Sequence, residues 1–180
     1  MSPDALTQGL RGFASLHRFL REIGAPDRRP GYVLLGNEPF LQAEARAGAI
    51  AALVAPDLRE FCLHDVDLAQ VSLFQALDLA QTPSLMAPFQ LLFLRNTKIL
   101  YGRGQKKEEF AALDAYFRRP NPQALLLFIA DHVLLPADLR RMDFVDKERA
   151  EKIRETLGDA CGVIEFQRVS EEDGVTWAQR

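Results

Sequence analysis

Apolar residues recur at three- and four-residue steps through the opening of the chain: Leu6, Leu10, Phe13, Leu16, Phe19, Leu20 and Ile23. That period predicts a helix over residues 4–23, stopped by Gly24 and Pro26. The pattern then changes. "APDRRPG" (25–31) is a turn-rich, basic link. "YVLLG" (32–36) is an unbroken apolar run ending in glycine, the form of a strand buried on both faces. An Ala-rich helix is predicted over 38–54, with Pro39 near its start, where a missing N–H costs little. A weak strand is predicted at Glu60–Leu63, with "HDVDLAQ" (64–70) as a polar loop behind it.

Ser72 and Gln75 fit a capping box at the head of a helix over about 72–80, with Leu73, Phe74, Leu77 and Leu79 as its apolar contacts. "QTPSLMAPFQLLFLRN" (81–96) holds Leu85 and Met86 between Pro83 and Pro88, then passes into a strand at 90–95. "NTKILYGRGQKKEEF" reads as a loop leading into a helix over about 107–118. "RRPNP" (118–122) is a hard turn, because two prolines and an Asn do not continue a helix. "QALLLFIA" (123–130) is the strongest strand signal. An amphipathic charged helix is predicted over 143–157, closed by Gly158. "GVIEF" (162–166) is a last strand, and Ser170 is an N-cap for a final helix. Strands alternating with helices predict an α/β fold: a three-layer, mostly parallel sheet of about five strands with helices on both faces.

At 180 residues the chain suits one such domain with a full core. A net charge of −3 gives no global basic field toward nucleic acid or membrane, which leaves room for a local basic face. Cys62 and Cys161 have no C-x-x-C spacing, and are expected as reduced, buried thiols rather than a zinc site or disulfide. No apolar run approaches the roughly 18 residues of a membrane span, and no signal pattern opens the chain. A cytoplasmic protein with no membrane partner is expected.

A first strand ending in glycine before a helix prompts a search for a phosphate loop, G-x-x-x-x-G-K-[ST]. Counted from Gly36, the last three positions hold Leu41, Gln42 and Ala43, and none supplies the required chemistry. Glu38 sets a carboxylate where phosphate oxygens would lie, favoured there by the helix N-terminus. Asp131, at the end of the 123–130 strand, resembles a metal-holding strand end but has no nucleotide-bound magnesium to meet. The frame is that of an NTPase whose chemistry is missing. His17, His64 and His132 lack metal-ligand spacing, and Ser84 lacks a glycine elbow. No catalytic residue, cofactor or metal is expected. Between residues 95 and 119, seven basic residues (Arg95, Lys98, Arg103, Lys106, Lys107, Arg118, Arg119) face three acidic ones, with Tyr101 and Phe117 between them. This run fits a solvated face, a phosphate track or a contact with an acidic protein.

The order of "YVLLGNEPFLQAEA" (32–45), "QTPSLMAPFQLLFLRN" (81–96), "PNPQALLLFIAD" (120–131) and "GVIEFQRVSEEDGVTWAQ" (162–179) resembles the N-terminal domain of the delta subunit of the bacterial DNA polymerase III clamp loader. The likeness spans about residues 31–180. It implies a RecA/AAA+-like fold without a working phosphate loop, and a domain that binds the ring-shaped beta sliding clamp and helps open it, with no ATP hydrolysis of its own. In that family an adjacent apolar pair, usually Leu-Phe after a small residue, enters a pocket on the clamp. The matching positions are Leu85 and Met86, after Pro83 and Ser84; Met in place of Phe loses the aromatic face. "VSLFQ" (71–75) spells the motif more closely, but Ser72 caps a helix there and Leu73 and Phe74 belong on its first turn. A pair folded into the domain's own core is the structural alternative.

The resemblance divides the chain into an N-terminal helix and linker (1–30), the AAA+-like domain (31–170), and the start of a helix (171–180) leading to a missing second domain. Contacts with other loader subunits are expected through such missing C-terminal domains, and with DNA indirectly. Lys98, Arg103, Lys106 and Lys107 are the candidate electrostatic face toward clamp or DNA. Two rivals stand beside this reading: a degenerate P-loop nucleotide binder using Asp131 and Arg95, and a DNA-binding module using residues 95–119.

Overall fold

The structure is a computed structural model that describes residues 13–102, 104 and 106–179. Residues 4–12 of the expected first helix, and Arg103 of the basic stretch, lie outside the described residues. Five strands form the sheet: β1 (Gly31–Leu35), β2 (Leu63–Asp67), β3 (Gln90–Arg95), β4 (Ala124–Ala130) and β5 (Gly162–Glu165). Their order is β2-β3-β4-β1-β5, and every pairing is parallel. Helices α1 (Ala14–Gly24) and α2 (Pro39–Leu53) lie on one face. After a short helical turn α3 (Arg59–Cys62), helices α4 (Leu73–Gln81), α5 (Lys107–Arg118) and α6 (Phe144–Leu157) cover the other, and α7 (Glu171–Ala178) follows β5.

The continuous apolar runs follow from this sandwich. On β1, Val33 and Leu35 enter the core under α4, α5 and α6, while Tyr32 and Leu34 enter the core under α1 and α2. On β3, Leu92 and Leu94 go one way and Leu91 and Phe93 the other; β4 divides Leu126 and Phe128 from Leu125 and Leu127 in the same manner. A strand with helices on both sides has no polar face to show. Helix α1 is integral to this core. Its Leu16, Phe19 and Ile23 are buried, and α2 comes so close that a Cβ on Gly48 would lie 2.4 Å from Leu20 Cδ2. The Arg18 guanidinium also donates to the Val163 carbonyl at 2.7 Å, covering part of the β5 edge.

One strand departs from expectation. The stretch predicted as strand, Glu60–Leu63, is mostly the helical turn α3, and the stretch predicted as a polar loop holds β2. The reason is position: β2 is an edge strand, so only Val66 is buried while His64, Asp65 and Asp67 reach solvent. His64 is therefore a strand residue. The loop expected after β3 also contains a 3₁₀ turn, Thr97–Tyr101, pinned by the Thr97 hydroxyl donating to the Ile129 carbonyl at 2.8 Å.

Candidate functional site

Two regions bear on function, and the parallel sheet puts them at opposite ends. At the carboxyl end of β1, Gly36 adopts φ +137°, and a Cβ there would lie 2.1 Å from the Phe166 carbonyl oxygen. Both conditions require glycine. The Gly36 amide donates to the Ala130 carbonyl at the end of β4 and the Asn37 amide to the Val133 carbonyl in the loop beyond it, so neither faces an open cradle. Glu38 is the N-cap of α2 and is 8% exposed. One carboxylate oxygen accepts from the Phe40 amide at 3.3 Å and the other from the Val169 amide at 3.0 Å. A protein carboxylate thus occupies the anion position of this helix and joins it to the chain leaving β5. Gln42, at the phosphate-loop lysine position, donates through Nε2 to the Leu34 and Gly36 carbonyls, both at 3.0 Å.

Asp131 and Arg95, the rival nucleotide pair, do come together, on a cavity of about 240 Å³ that also touches Gln42, Arg46 and Phe93. Arg46 is committed elsewhere. It forks onto the Asp65 carboxylate at 2.8 and 2.6 Å and stacks on Phe93 at 4.2 Å. Arg95 approaches the same carboxylate at 4.0 Å. The cavity falls below the roughly 300–1,000 Å³ of sites that enclose a nucleotide-sized ligand.

At the other end of the sheet lies the segment between α4 and β3. Leu85 is fully exposed and Met86 is 62% exposed, while Ala87 is buried beneath them. The Ser84 hydroxyl accepts from the Met86 and Ala87 amides, both at 3.2 Å, closing a tight local turn. Pro83 and Pro88 hold the residues before them extended. The base of the segment is clamped by a side chain that sequence reasoning missed. Gln90 is buried at the start of β3; its Nε2 donates to the Thr82 carbonyl at 2.5 Å, and its own amide donates to the Gln123 carbonyl at 2.7 Å. The signal available was a single amide opening an otherwise apolar strand. The Arg28 guanidinium sits over the Phe89 ring at 4.8 Å and steadies the same base. The rival pair divides: Leu73 is buried, Phe74 is partly exposed, and the Ser72–Gln75 capping box is formed.

The basic stretch does not form one face. Arg95 ends β3 at one end of the sheet, whereas Arg118 and Arg119 precede β4 at the other. Lys98, Lys106 and Lys107 line two adjoining clefts around Tyr101, of about 560 and 700 Å³, which also carry Glu148, Glu151 and Glu155 from α6. Lys106 pairs with Glu109 at 3.7 Å. His132 stacks near Tyr101, and burial lowers its pKa. Among the described residues no three His, Cys, Asp or Glu side chains gather as a metal site, and no helix is long and apolar enough to cross a membrane. Cys62 and Cys161 are free and buried.

Against known proteins, the family model described as DNA polymerase III, delta subunit, matches residues 32–148. The DNA polymerase III subunit delta of Bacillus subtilis (strain 168) is 27% identical over 106 residues, which are 57% of this chain and 30% of that protein. The solved structure of the Bacillus subtilis DNA clamp loader delta protein superposes with a TM-score of 0.61 at 22% identity, over 84% of this chain and 42% of that one. The chain thus spans less than half the length of each relative. The structural likeness speaks to the fold.

Proposed function

The chain belongs to the family of DNA polymerase III delta subunits, and on that premise we propose that it grips a sliding clamp by inserting Leu85 and Met86 into an apolar pocket on the ring. The observation that carries this reading is the exposure of the pair on a segment tied down at both ends. Pro83 directs the chain outward, and the Ser84 hydroxyl fixes the turn that presents the two side chains. Because the tip is already ordered, docking costs less conformational entropy than it would for a loose loop. Burying each side chain contributes about 1.5–3 kcal/mol, the scale of an interface hot spot. Met86 supplies bulk with a flexible stem, which suits an irregular pocket.

Seating the tip favours the ring conformation whose pocket fits it best and so loosens a ring interface. This chain consumes no ATP in that step, and the energy comes from ATP sites on other loader subunits. Other loader subunits are partners in that assembly, and DNA is met through the clamp. Lys98, Arg103, Lys106 and Lys107 are a secondary electrostatic face toward clamp or DNA.

The test is a double variant, Leu85→Ala with Met86→Ala, assayed for binding to the cognate sliding clamp and for thermal stability. Clamp binding should disappear while Tm stays nearly unchanged, because neither side chain packs on its own core. Retained binding, or a large fall in Tm, overturns the role given to the pair. A nucleotide reading has one observation in its favour, the meeting of Arg95 and Asp131 on one cavity. The cavity's size and the Glu38 carboxylate weigh against it, and micromolar ATP binding by calorimetry would revive it.

A further inference from the structure

Two Arg-Arg-Pro tripeptides occur in the chain, Arg28-Arg29-Pro30 and Arg118-Arg119-Pro120. The first leads directly into β1 and the second, four residues on, into β4. These strands are adjacent and parallel, and the Leu126 amide donates to the Pro30 carbonyl at 3.1 Å. On the far side of β4 lies β3, which the Leu85–Met86 segment enters. The fold therefore gathers both arginine pairs at the end of the sheet that carries the apolar tip.

Three contacts fix this neighbourhood. Arg28 covers the Phe89 ring, the Asn121 side chain donates to the Ala80 carbonyl at 2.9 Å, and Gln90 bonds Gln123. None of the four arginines forms an ion pair among the described residues. Arg29, Arg118 and Arg119 are exposed, and Arg28 is half-buried on Phe89. Against them stand Asp27 and, on the helices that lead into these three strands, Glu22, Asp78 and Asp114.

We propose that these arginines form a cationic collar that meets a carboxylate-rich rim around an apolar socket on a partner protein and steers that socket onto the tip. The inference rests on the clamp-binding reading and adds the chemistry of the surface around the pocket. A nucleic-acid backbone would answer the arginines but has no socket for leucine and methionine; a protein surface answers both. Charges at such a rim act on the association rate and its salt dependence more than on the lifetime of the complex.

The experiment follows association and dissociation of the full chain with the cognate sliding clamp by rapid mixing, from low to high salt. The variant Arg118→Glu/Arg119→Glu reverses two exposed charges that make no ion pair. At low salt its kon should fall by about tenfold or more, with koff little changed, and the difference should fade as salt rises. Arg118→Lys/Arg119→Lys should restore kon, since steering needs charge rather than the guanidinium fork. Leu85→Ala should raise koff and leave kon alone. Equal kon for the wild-type and charge-reversed proteins at every salt overturns the collar while leaving the clamp reading in place. Loss of binding to a duplex oligonucleotide in the charge-reversed variant, with clamp association untouched, assigns the arginines to nucleic acid and also overturns it. A wild-type chain that binds no clamp at any salt removes the clamp reading and the collar with it.

Discussion

At the scale of single residues, Glu38 explains how the glycine turn between β1 and α2 does without a phosphate. The first amides of α2 carry partial positive charge and lack partners within the helix. Where a helix N-terminus binds an anion, a phosphate meets such amides; here the Glu38 carboxylate caps the helix at Phe40 and reaches the Val169 amide beyond β5. One side chain both fills the anion position and fastens the segment that leaves β5. Replacing Glu38 by Ala removes a cap worth about 1 kcal/mol and leaves a partly buried amide unpaired at a cost of about 1–3 kcal/mol. Urea denaturation should therefore show a loss of about 2–4 kcal/mol, the sum of those two contributions. Hydrogen exchange should quicken at the Phe40 and Val169 amides ahead of those of β3 and β4. Unchanged protection at Val169 would mean that the carboxylate does not hold the segment after β5.

At the scale of elements, the α4–β3 connection works because Gln90 turns a loop into a rigid bracket. Its amide ties Thr82, at the start of the segment, to the first residue of β3, while the Thr82 hydroxyl holds the Asp78 carbonyl at 2.7 Å. Gln90→Leu keeps the bulk and deletes that bond, so stability should fall by about 1 kcal/mol. On the clamp-binding proposal, clamp affinity should fall by more than that loss alone explains, because the freed segment must be ordered on docking; an affinity equal to wild type would show that the bracket contributes nothing to presentation. The projecting segment was legible in the sequence because two prolines and an apolar pair are local signals. The tether was not, since nothing near Gln90 in the sequence points to a carbonyl eight residues back. The same distinction separates the strands. β1, β3 and β4 announce themselves by apolar runs because helices bury both their faces. β2 is hidden, because an edge strand with His64, Asp65 and Asp67 toward solvent has the composition of a loop. The adjacency of the two arginine turns depends on β4 entering between β3 and β1, an order that no local pattern encodes.

At the scale of the whole molecule, one sheet separates two cores, and each contains a cysteine. Cys62 packs with α1 and α2, and Cys161 packs with α4, α5 and α6. Burial raises the pKa of both thiols, and that of Cys161 from 9.0 to about 12. Burial likewise pushes Tyr101 up to about 12. Groups held protonated by the fold stabilise it below their unfolded pKa, and that contribution declines as pH rises from the unfolded toward the folded value. Stability should thus decline between about pH 9 and 12, the window set by Cys161 and Tyr101. The thiolate is the reactive form, so neither cysteine should alkylate in the native protein at neutral pH. Because β1, β3 and β4 each send buried side chains into both cores, Cys62 and Cys161 should become reactive together along a urea titration, each tracking the loss of far-UV circular dichroism. Site-resolved mass spectrometry of the alkylated chain checks this. Earlier labelling of Cys62 would reveal that α3 and the edge strand open separately, in which case the two faces do not unfold as one cooperative unit.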